Sequence, residues 1–322
     1  MNSECSLVTC TMLTYKKFNY LYEALDSVFN QDYPNIELII GDDCSPEFSR
    51  IEIEQYIETN KSQNISNVVI YTNDENLGIV KNINKAFKMA NGDYLIGLSG
   101  DDVFYDPNVI SKVVKRFRDT GWELMTCRRL RCKEDSLEHL IHMPPDKYLR
   151  KIASLNTAKK QYLAFARCHY YQMASGSVTY QTKKNIERFG YYSEDYTNWE
   201  DGPFFARYTR NGNIIHTAYD IVAIKYREGG ISTTPRKQQN QRNNLLMDLD
   251  MQLYYKKEIE PFIDRFNKKE IRKVKYCKIS IFYNKNKFIC ILKKLPFIDI
   301  VLANIIEERQ LNRVLKGKGS ID

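Results

Sequence analysis

The chain opens on an unbroken apolar run, SLVTCTM (6–12), which reads as a strand buried on both faces. From Phe18 to Phe29 the apolar period changes, and Leu21, Ala24, Leu25, Val28 and Phe29 fall on one helical stripe. Pro34 interrupts the chain, IELII (36–40) supplies the next strand, and a helix is predicted around 48–59. The alternation continues with VVIYT (68–72), a helix over about 79–90 ending near Gly92, and YLIGL (94–98). Strands separated by helices of this length predict β-α-β units, hence a mostly parallel sheet covered on both faces.

After Pro107 the pattern loosens. A helix near 108–119 and a strand near 123–128 are expected, followed by a less regular stretch to about 175. SVTYQ (177–181) reads as a strand, 201–211 as a helix and 214–226 as strands. From about 240 the chain reads as helical and basic.

Composition adds bounds. With 322 residues, 43% apolar and 27% charged, this is the profile of a soluble globular protein with a sizeable core. MNSECSLVTCTML lacks the basic region and long apolar run of a signal peptide. FICILKKLPFIDIVLANII (288–306) is broken by Lys293, Lys294, Pro296 and Asp299, so no spanning helix is expected there. Eight scattered cysteines without a CxxC pair read as reduced thiols, and the expected location is the cytoplasm. His139 and His142 have no partner motif that would make them a metal site. The net charge of +8 is uneven: residues 268–294 hold ten Lys or Arg and one Glu, which leaves the rest of the chain at −1.

Two strands end in paired aspartates, IELII-Gly41-Asp42-Asp43 and YLIGL-Ser99-Gly100-Asp101-Asp102. One such pair reads as a turn or a helix cap. Two pairs at carboxyl strand ends of one parallel sheet point their carboxylates at one crevice, where such sheets bind ligands. Their repulsion is relieved when a cation or a hydrogen-bonding ligand fills the crevice, so a divalent-metal and phosphate site is expected.

Here a resemblance enters. YKKFNYLYEALDSVFNQDYPNIELIIGDDCS (15–45) resembles the opening of the family 2 glycosyltransferases, inverting enzymes of the GT-A fold. NLGIVKNINKAFKMANGDYLIGLSGDD (76–102) is similar to the family's Asn-Leu-Gly segment and Asp-x-Asp-type metal motif. NWEDGPFFARY (198–208), with YREGGIS (226–232), resembles the segment carrying its Glu-Asp pair. The likeness runs over roughly 6–232, with the motifs in the family's order.

The resemblance implies an α/β, GT-A, Rossmann-like domain over 1–235, with a nucleotide-sugar half (1–103) and an acceptor half (104–235). Residues 236–322 would form a helical basic extension. Asp42 would accept a hydrogen bond from the nucleotide base, uracil for a UDP-linked donor, and Thr14 would line the same pocket. Asp101 would hold Mn2+ or Mg2+ bridging the diphosphate, because hard cations share carboxylate and phosphate oxygens. Asp102 would help hold the metal or position the donor sugar. Asp201 would be the general base, with Glu200 the second choice; adjacent carboxylates also suit the first turn of a helix.

Some positions depart from the family pattern. Leu13 and Lys16 stand where Pro and Asn are usual, and Cys44 replaces a Gly. Ser99 replaces the first Asp of the metal motif, so a hydroxyl has to substitute at the ribose. Arg207 and Arg227 are candidates for phosphate contacts or for structural roles.

In the tail, Ile271, Val274, Cys277, Ile281 and Phe282 recur at helical spacing among lysines. That pattern fits a basic amphipathic helix on an anionic membrane surface, or a packed extension with a solvated lysine face. The implied reaction is metal-dependent transfer from a UDP-sugar to a saccharide acceptor, polyprenyl-linked in capsule and O-antigen synthesis. The competing readings are glycoside hydrolysis, a catalytically degenerate transferase, and a binding module whose tail contacts membrane or nucleic acid. No nucleic-acid motif appears, and none is expected to bind.

Overall fold

The computed structural model describes residues 5–167, 173–230, 238 and 241–282, with side chains as far as Lys275. Its sheet is built on β1 (Val8–Thr14), β2 (Ile36–Asp42), β3 (Ile65–Thr72) and β4 (Tyr94–Ser99). These pair in parallel in the order β3-β2-β1-β4. The crossovers are α1 (Leu21–Phe29), α2 (Arg50–Asn60) and α3 (Ile79–Met89). Strand order reverses beside β1, and the reversal opens the crevice at the carboxyl ends of β1 and β4.

Beyond β4 the sheet becomes mixed. It adds β5 (Val103–Phe104), β6 (Leu124–Cys132), β7 (His139–Met143), β8 (Thr179–Thr182) and β9 (His216–Arg227), with α4 (Val109–Thr120) between β5 and β6. The order continues β4-β8-β6-β9-β5, with β7 hydrogen-bonded to β6 at the side. β8 runs antiparallel to both β4 and β6, while β9 runs parallel to β6.

The stretch expected to be irregular holds β7 and two helices, α5 (Asp146–Ala153) and α6 (Ala158–Ala166). Neither helix nor strand was legible there, for physical reasons. β7 is exposed through His139, Leu140 and Ile141, so it shows no alternation. α5 buries only Ile152. α6 is buried through polar Gln161 as well as apolar side chains, and Gln161 exchanges two hydrogen bonds with Ile215. A further short helix, α7 (Lys183–Phe189), follows β8 directly. The strands expected over 214–226 are one long strand whose register against β6 shifts around Arg128.

Side-chain alternation along the strands feeds two cores. Leu38 and Ile40 join Val8, Cys10, Met12, Ile96 and Leu98 under α1 and α4. Ile39, Tyr71 and Leu95 point the other way, into a cluster with α3, α6 and α8 (Asp201–Arg210). The later helices α9 (Gln241–Tyr254) and α10 (Lys268–Phe282) share this second cluster through Tyr254, Tyr255, Ile259, Phe266 and Val274. The Tyr254 hydroxyl donates to the Phe165 carbonyl at 2.9 Å, and Arg210 pairs with buried Glu258 at 2.8 Å.

The first turns of α10 are therefore a packed face, with Val274 buried and Ile271 against the cluster, while Lys268, Lys269, Arg272, Lys273 and Lys275 are exposed. The side chains of Cys277, Ile281 and Phe282, and all of 283–322, lie outside the described residues.

Two departures from the family pattern have a backbone meaning. Lys16 has φ +57° and Cys44 φ +64°, both in the left-handed region where Asn or Gly is favoured. A non-glycine residue there costs about 1 kcal/mol. Cys44→Gly is expected to raise the urea-unfolding free energy by about 1 kcal/mol, within the cost of left-handed backbone. An unchanged or lowered midpoint would show that the Cys44 thiol, which meets the Asp74 carbonyl at 3.5 Å, compensates the strain.

Candidate active site

The pairing registers set the nucleotide side of the site. Thr14 lies opposite Asp42 across β1 and β2, and Leu13 opposite Ser99 across β1 and β4, so Thr14, Asp42 and Ser99 end level at one edge. Asp42 is fully buried. Its Oδ1 accepts from Thr14 Oγ1 at 3.1 Å and Ser45 Oγ at 2.6 Å. Its Oδ2 accepts from the Ser45 amide at 2.7 Å and Thr72 Oγ1 at 3.1 Å. All the acceptor capacity of the carboxylate is in use, so Asp42 stands behind the pocket wall rather than open to it.

Asp43, which sequence reasoning left without a task, clasps the Asn-Leu-Gly segment. It accepts from Asn73 Nδ2 at 2.9 Å and from the Leu77 and Gly78 amides at 2.8 Å each, at the start of α3. The first acid pair is thus neutralised by internal donors.

The second pair is not. Asp102 is buried; its Oδ1 accepts from the Arg227 amide at 2.9 Å, and its Oδ2 is sealed without any hydrogen-bond partner. Burial, and after it the Asp101 charge, pushes the Asp102 carboxyl well above the usual range. Asp101 is half-buried and also raised by burial, with Lys17 and Arg227 pulling it down. The Ser99 carbonyl takes the Asp102 amide at 3.1 Å, and the Ser99 hydroxyl has no partner among the described residues.

An orphaned, buried carboxylate oxygen beside a second desolvated carboxylate fits a divalent cation. No group of three or more His, Cys, Asp or Glu among the described residues could cage an ion alone. The donor set therefore suits a metal that takes its remaining oxygens from a bound diphosphate and water.

Across the cleft, Asp201 begins α8 and Glu200 precedes it. Asp201 Oδ1 accepts from the Gly202 amide at 2.6 Å and Oδ2 from the Gly176 amide at 2.9 Å, with the Trp199 side chain a further donor. Three of the roughly four acceptor sites of the carboxylate are thus in use, which leaves one for a further donor. Gly176 has to be glycine: a Cβ there would sit 2.5 Å from Glu200 Oε1 and 3.2 Å from Asp201 Cβ.

Burial raises both carboxyls, and the two environments then separate them. Burial, followed by the Asp201 charge, pushes Glu200 up to about 8. Asp201 is raised by burial too, but its two amide donors and Arg129 oppose the rise. Within the pair the proton is therefore favoured on Glu200 and the negative charge on Asp201, an arrangement that suits a base beside an acid.

The loop before the pair is fixed from an unexpected place. Asp250, buried on α9, accepts from the Thr197 amide at 3.0 and 3.2 Å and the Asn198 amide at 2.8 Å. Trp199 packs on Tyr254, 4.8 Å between centroids. Nothing in a helical, basic stretch signals such a carboxylate. Of the candidate arginines, Arg227 is buried, ion-paired to Glu23 and stacked on Tyr20, while Arg207 packs on Phe189 and donates to the Tyr191 carbonyl.

The protonation of Glu200 makes a stability prediction. Its folded-state value, about 8, lies above its ordinary 4.5. Stability is therefore full below about pH 4.5 and declines as pH rises toward 8, at up to about 1.4 kcal/mol per unit. Glu200→Gln removes the ionisation, so thermal unfolding of the variant should flatten between pH 5 and 8, where the wild type declines. Parallel pH profiles for the two proteins would contradict the buried-acid assignment.

Similarity to known proteins bears on the family and the fold. The pattern described as Glycosyl transferase family 2 matches residues 9–182. A putative colanic acid biosynthesis glycosyl transferase of Escherichia coli (strain K12), WcaA, is 33% identical over 105 residues, covering 33% of this chain and 36% of that protein. The chain spans 18% to 36% of the length of the first curated relatives it matches.

Among solved structures, the mannosyltransferase PcManGT of Pyrobaculum calidifontis, in complex with GDP-Man and Mn2+, superposes with a TM-score of 0.55 at 17% identity over 85% of this chain and 69% of that one. S. aureus TarS 1-349 in complex with UDP-GlcNAc gives 0.54 at 14% identity, over 85% of this chain and 80% of its own. These likenesses establish the GT-A fold, and the match over more than half of the sequence places this chain in glycosyl transferase family 2.

Proposed function

We propose that the chain is an inverting, metal-dependent glycosyltransferase that moves a sugar from a nucleotide diphosphate donor to a saccharide hydroxyl. One observation carries the reading. Two carboxylate pairs lie within reach of one guanidinium, Arg129, the first with a sealed, unpartnered oxygen at Asp102 and the second with Asp201 anchored by two amides.

Asp101 and Asp102 Oδ2 would hold Mn2+ or Mg2+, which when bound neutralises charge on the diphosphate as a Lewis acid. Thr14 would line the nucleotide pocket from β1, with Asp42 fixing its hydroxyl; a base N–H reaches Asp42 only by displacing one of its hydroxyl donors. The Ser99 hydroxyl is free to meet the ribose. Asp201, held by two amides, accepts the proton of the acceptor hydroxyl as that oxygen attacks the anomeric carbon from the face opposite the departing diphosphate. Glu200, protonated, donates a hydrogen bond in the acceptor half of the cleft and adds no second negative charge beside the base.

A UDP-linked donor is the preferred assignment, supported by the UDP-GlcNAc complex of the structural neighbour TarS. The GDP-Man complex of PcManGT makes GDP the alternative to test beside it. The colanic acid relative supports an acceptor in polysaccharide biosynthesis, and we assign to it a lipid-linked saccharide presented at a membrane face. No helix of the described residues is long and apolar enough to cross a membrane. The exposed Lys268, Lys269, Arg272, Lys273 and Lys275 would meet an anionic leaflet, each contributing about 1 kcal/mol.

Calorimetric titration with UDP and with GDP, with and without Mn2+, tests the donor side. Binding of one nucleotide should require Mn2+ and be lost in Asp101→Ala. Asp201→Asn should keep that affinity and lower kcat by about 10²–10⁴-fold. Nucleotide binding that ignores both metal and Asp101, or full turnover by Asp201→Asn, would overturn the assignment.

A further inference from the structure

Arg129, on β6, occupies the space between the two acid pairs. Its guanidinium lies over the Tyr226 ring, 4.3 Å from the centroid. Nη1 donates to Ser175 Oγ at 2.9 Å and to Ser177 Oγ at 2.8 Å. Those serines flank Gly176, whose amide holds Asp201. On the other side, Tyr226 precedes Arg227, whose amide holds Asp102. One guanidinium is thus clamped between the turn that fixes the base and the strand end that fixes the metal-side acid. Its charge is felt by both, drawing Asp102 and Asp201 downward.

The arginines around it are committed to carboxylates: Arg128 to Asp146, Arg131 to Glu228, Arg227 to Glu23. Arg129 has no carboxylate partner among the described residues. Only Nη1 is spent, and Nε and Nη2 are neither bonded nor sealed from solvent. A guanidinium whose orientation is already fixed, with two unspent donors and no counter-ion, is built for an oxyanion that arrives from outside.

We propose that Arg129 is a further catalytic residue, binding the diphosphate oxygen that leaves the anomeric carbon; this rests on the transferase reading above. As the acceptor oxygen bonds to the anomeric carbon, the bond from that carbon to the diphosphate oxygen breaks and its electron pair stays on the oxygen. The acceptor proton passes to Asp201, and Arg129 keeps its own protons while its hydrogen bonds strengthen on the new charge. The nucleoside diphosphate product carries that same charge. It should therefore feel Arg129 in simple binding, whereas a nucleoside monophosphate, which lacks the outer phosphate, should not.

The test is calorimetry with UDP, UMP, GDP and GMP in the presence of Mn2+, on wild type, Arg129→Met and Arg129→Lys. The wild type should prefer the diphosphate over the monophosphate of one base. Arg129→Met should weaken diphosphate binding by about 10- to 100-fold, the scale of a hydrogen bond to a charged group, and leave monophosphate binding unchanged. Its kcat should fall about 10²-fold, as on loss of one oxyanion donor, and Arg129→Lys should recover part of both.

A folded Arg129→Met that binds and turns over like wild type would overturn the proposal, as would equal losses for mono- and diphosphate. If Arg129→Met does not fold, the Ser175→Ala/Ser177→Ala double variant unclamps the guanidinium while keeping its charge. It should lower kcat and diphosphate preference together, and wild-type values in it would likewise sink the assignment. A diphosphate preference that depends on Arg129, alongside full turnover by Asp201→Asn, would retain the Arg129 site and refute the base. A wild type that binds none of these nucleotides refutes both.

Discussion

β1 is hydrogen-bonded in parallel to β2 on one side and to β4 on the other, and its register with each decides where the chemistry can sit. A slip of one residue in either pairing would turn every side chain to the opposite face. Val8, Cys10 and Met12 would then leave the core under α1 and α4, so burial holds the register fast. Because it is held, Thr14, Asp42 and Ser99 end level, and the chain beyond Ser99 turns tightly enough to present Asp101 outward and Asp102 inward. The mixed half of the sheet closes the cleft from the other side. β9 delivers the Arg227 amide to Asp102, and the turn before β8 delivers the Gly176 amide to Asp201.

The site concentrates negative charge at a cost that the rest of the fold meets in different ways. Asp42 and Asp43 are given a full set of neutral donors, so their adjacency is a scaffold. Asp102 keeps an oxygen with no donor at all, a burial relieved by holding a proton or by a visiting cation. Glu200 escapes the conflict by holding its proton, and Asp201 by accepting two amides and the field of Arg129. The same carboxyl group is thus given four different environments by its surroundings alone, which is the basis for the scaffold, ion-binding, acid and base roles proposed for them.

Much of this was legible in the residues, and the limits follow from what sequence encodes. The first four strands and three crossover helices announce themselves because their apolar periods are local. The pairs Asp101-Asp102 and Glu200-Asp201 were marked as candidates by a strand end and by the family resemblance respectively. The enclosure of Asp42 was not legible, because one of its donors, Thr72, reaches it from a neighbouring strand. Asp250 was invisible for the same reason: α9 carries Asp248 and Asp250 two residues apart, and only tertiary packing brings Asp250 under the Thr197–Trp199 loop. Arg129, in the run CRRLRC (127–132), shares its composition with two structural arginines, and only their carboxylate partners tell them apart.

The central claim is that Asp101 and the sealed oxygen of Asp102 exist to receive a cation carrying a nucleotide diphosphate. Anomalous diffraction at the manganese edge, from crystals grown with Mn2+ and UDP or GDP, tests it most directly. The account predicts one manganese peak within coordination distance of Asp101 and Asp102 Oδ2, with the diphosphate on its far side and the base beside Thr14. A nucleotide bound elsewhere, or ordered in the cleft with no manganese at these carboxylates, would contradict it.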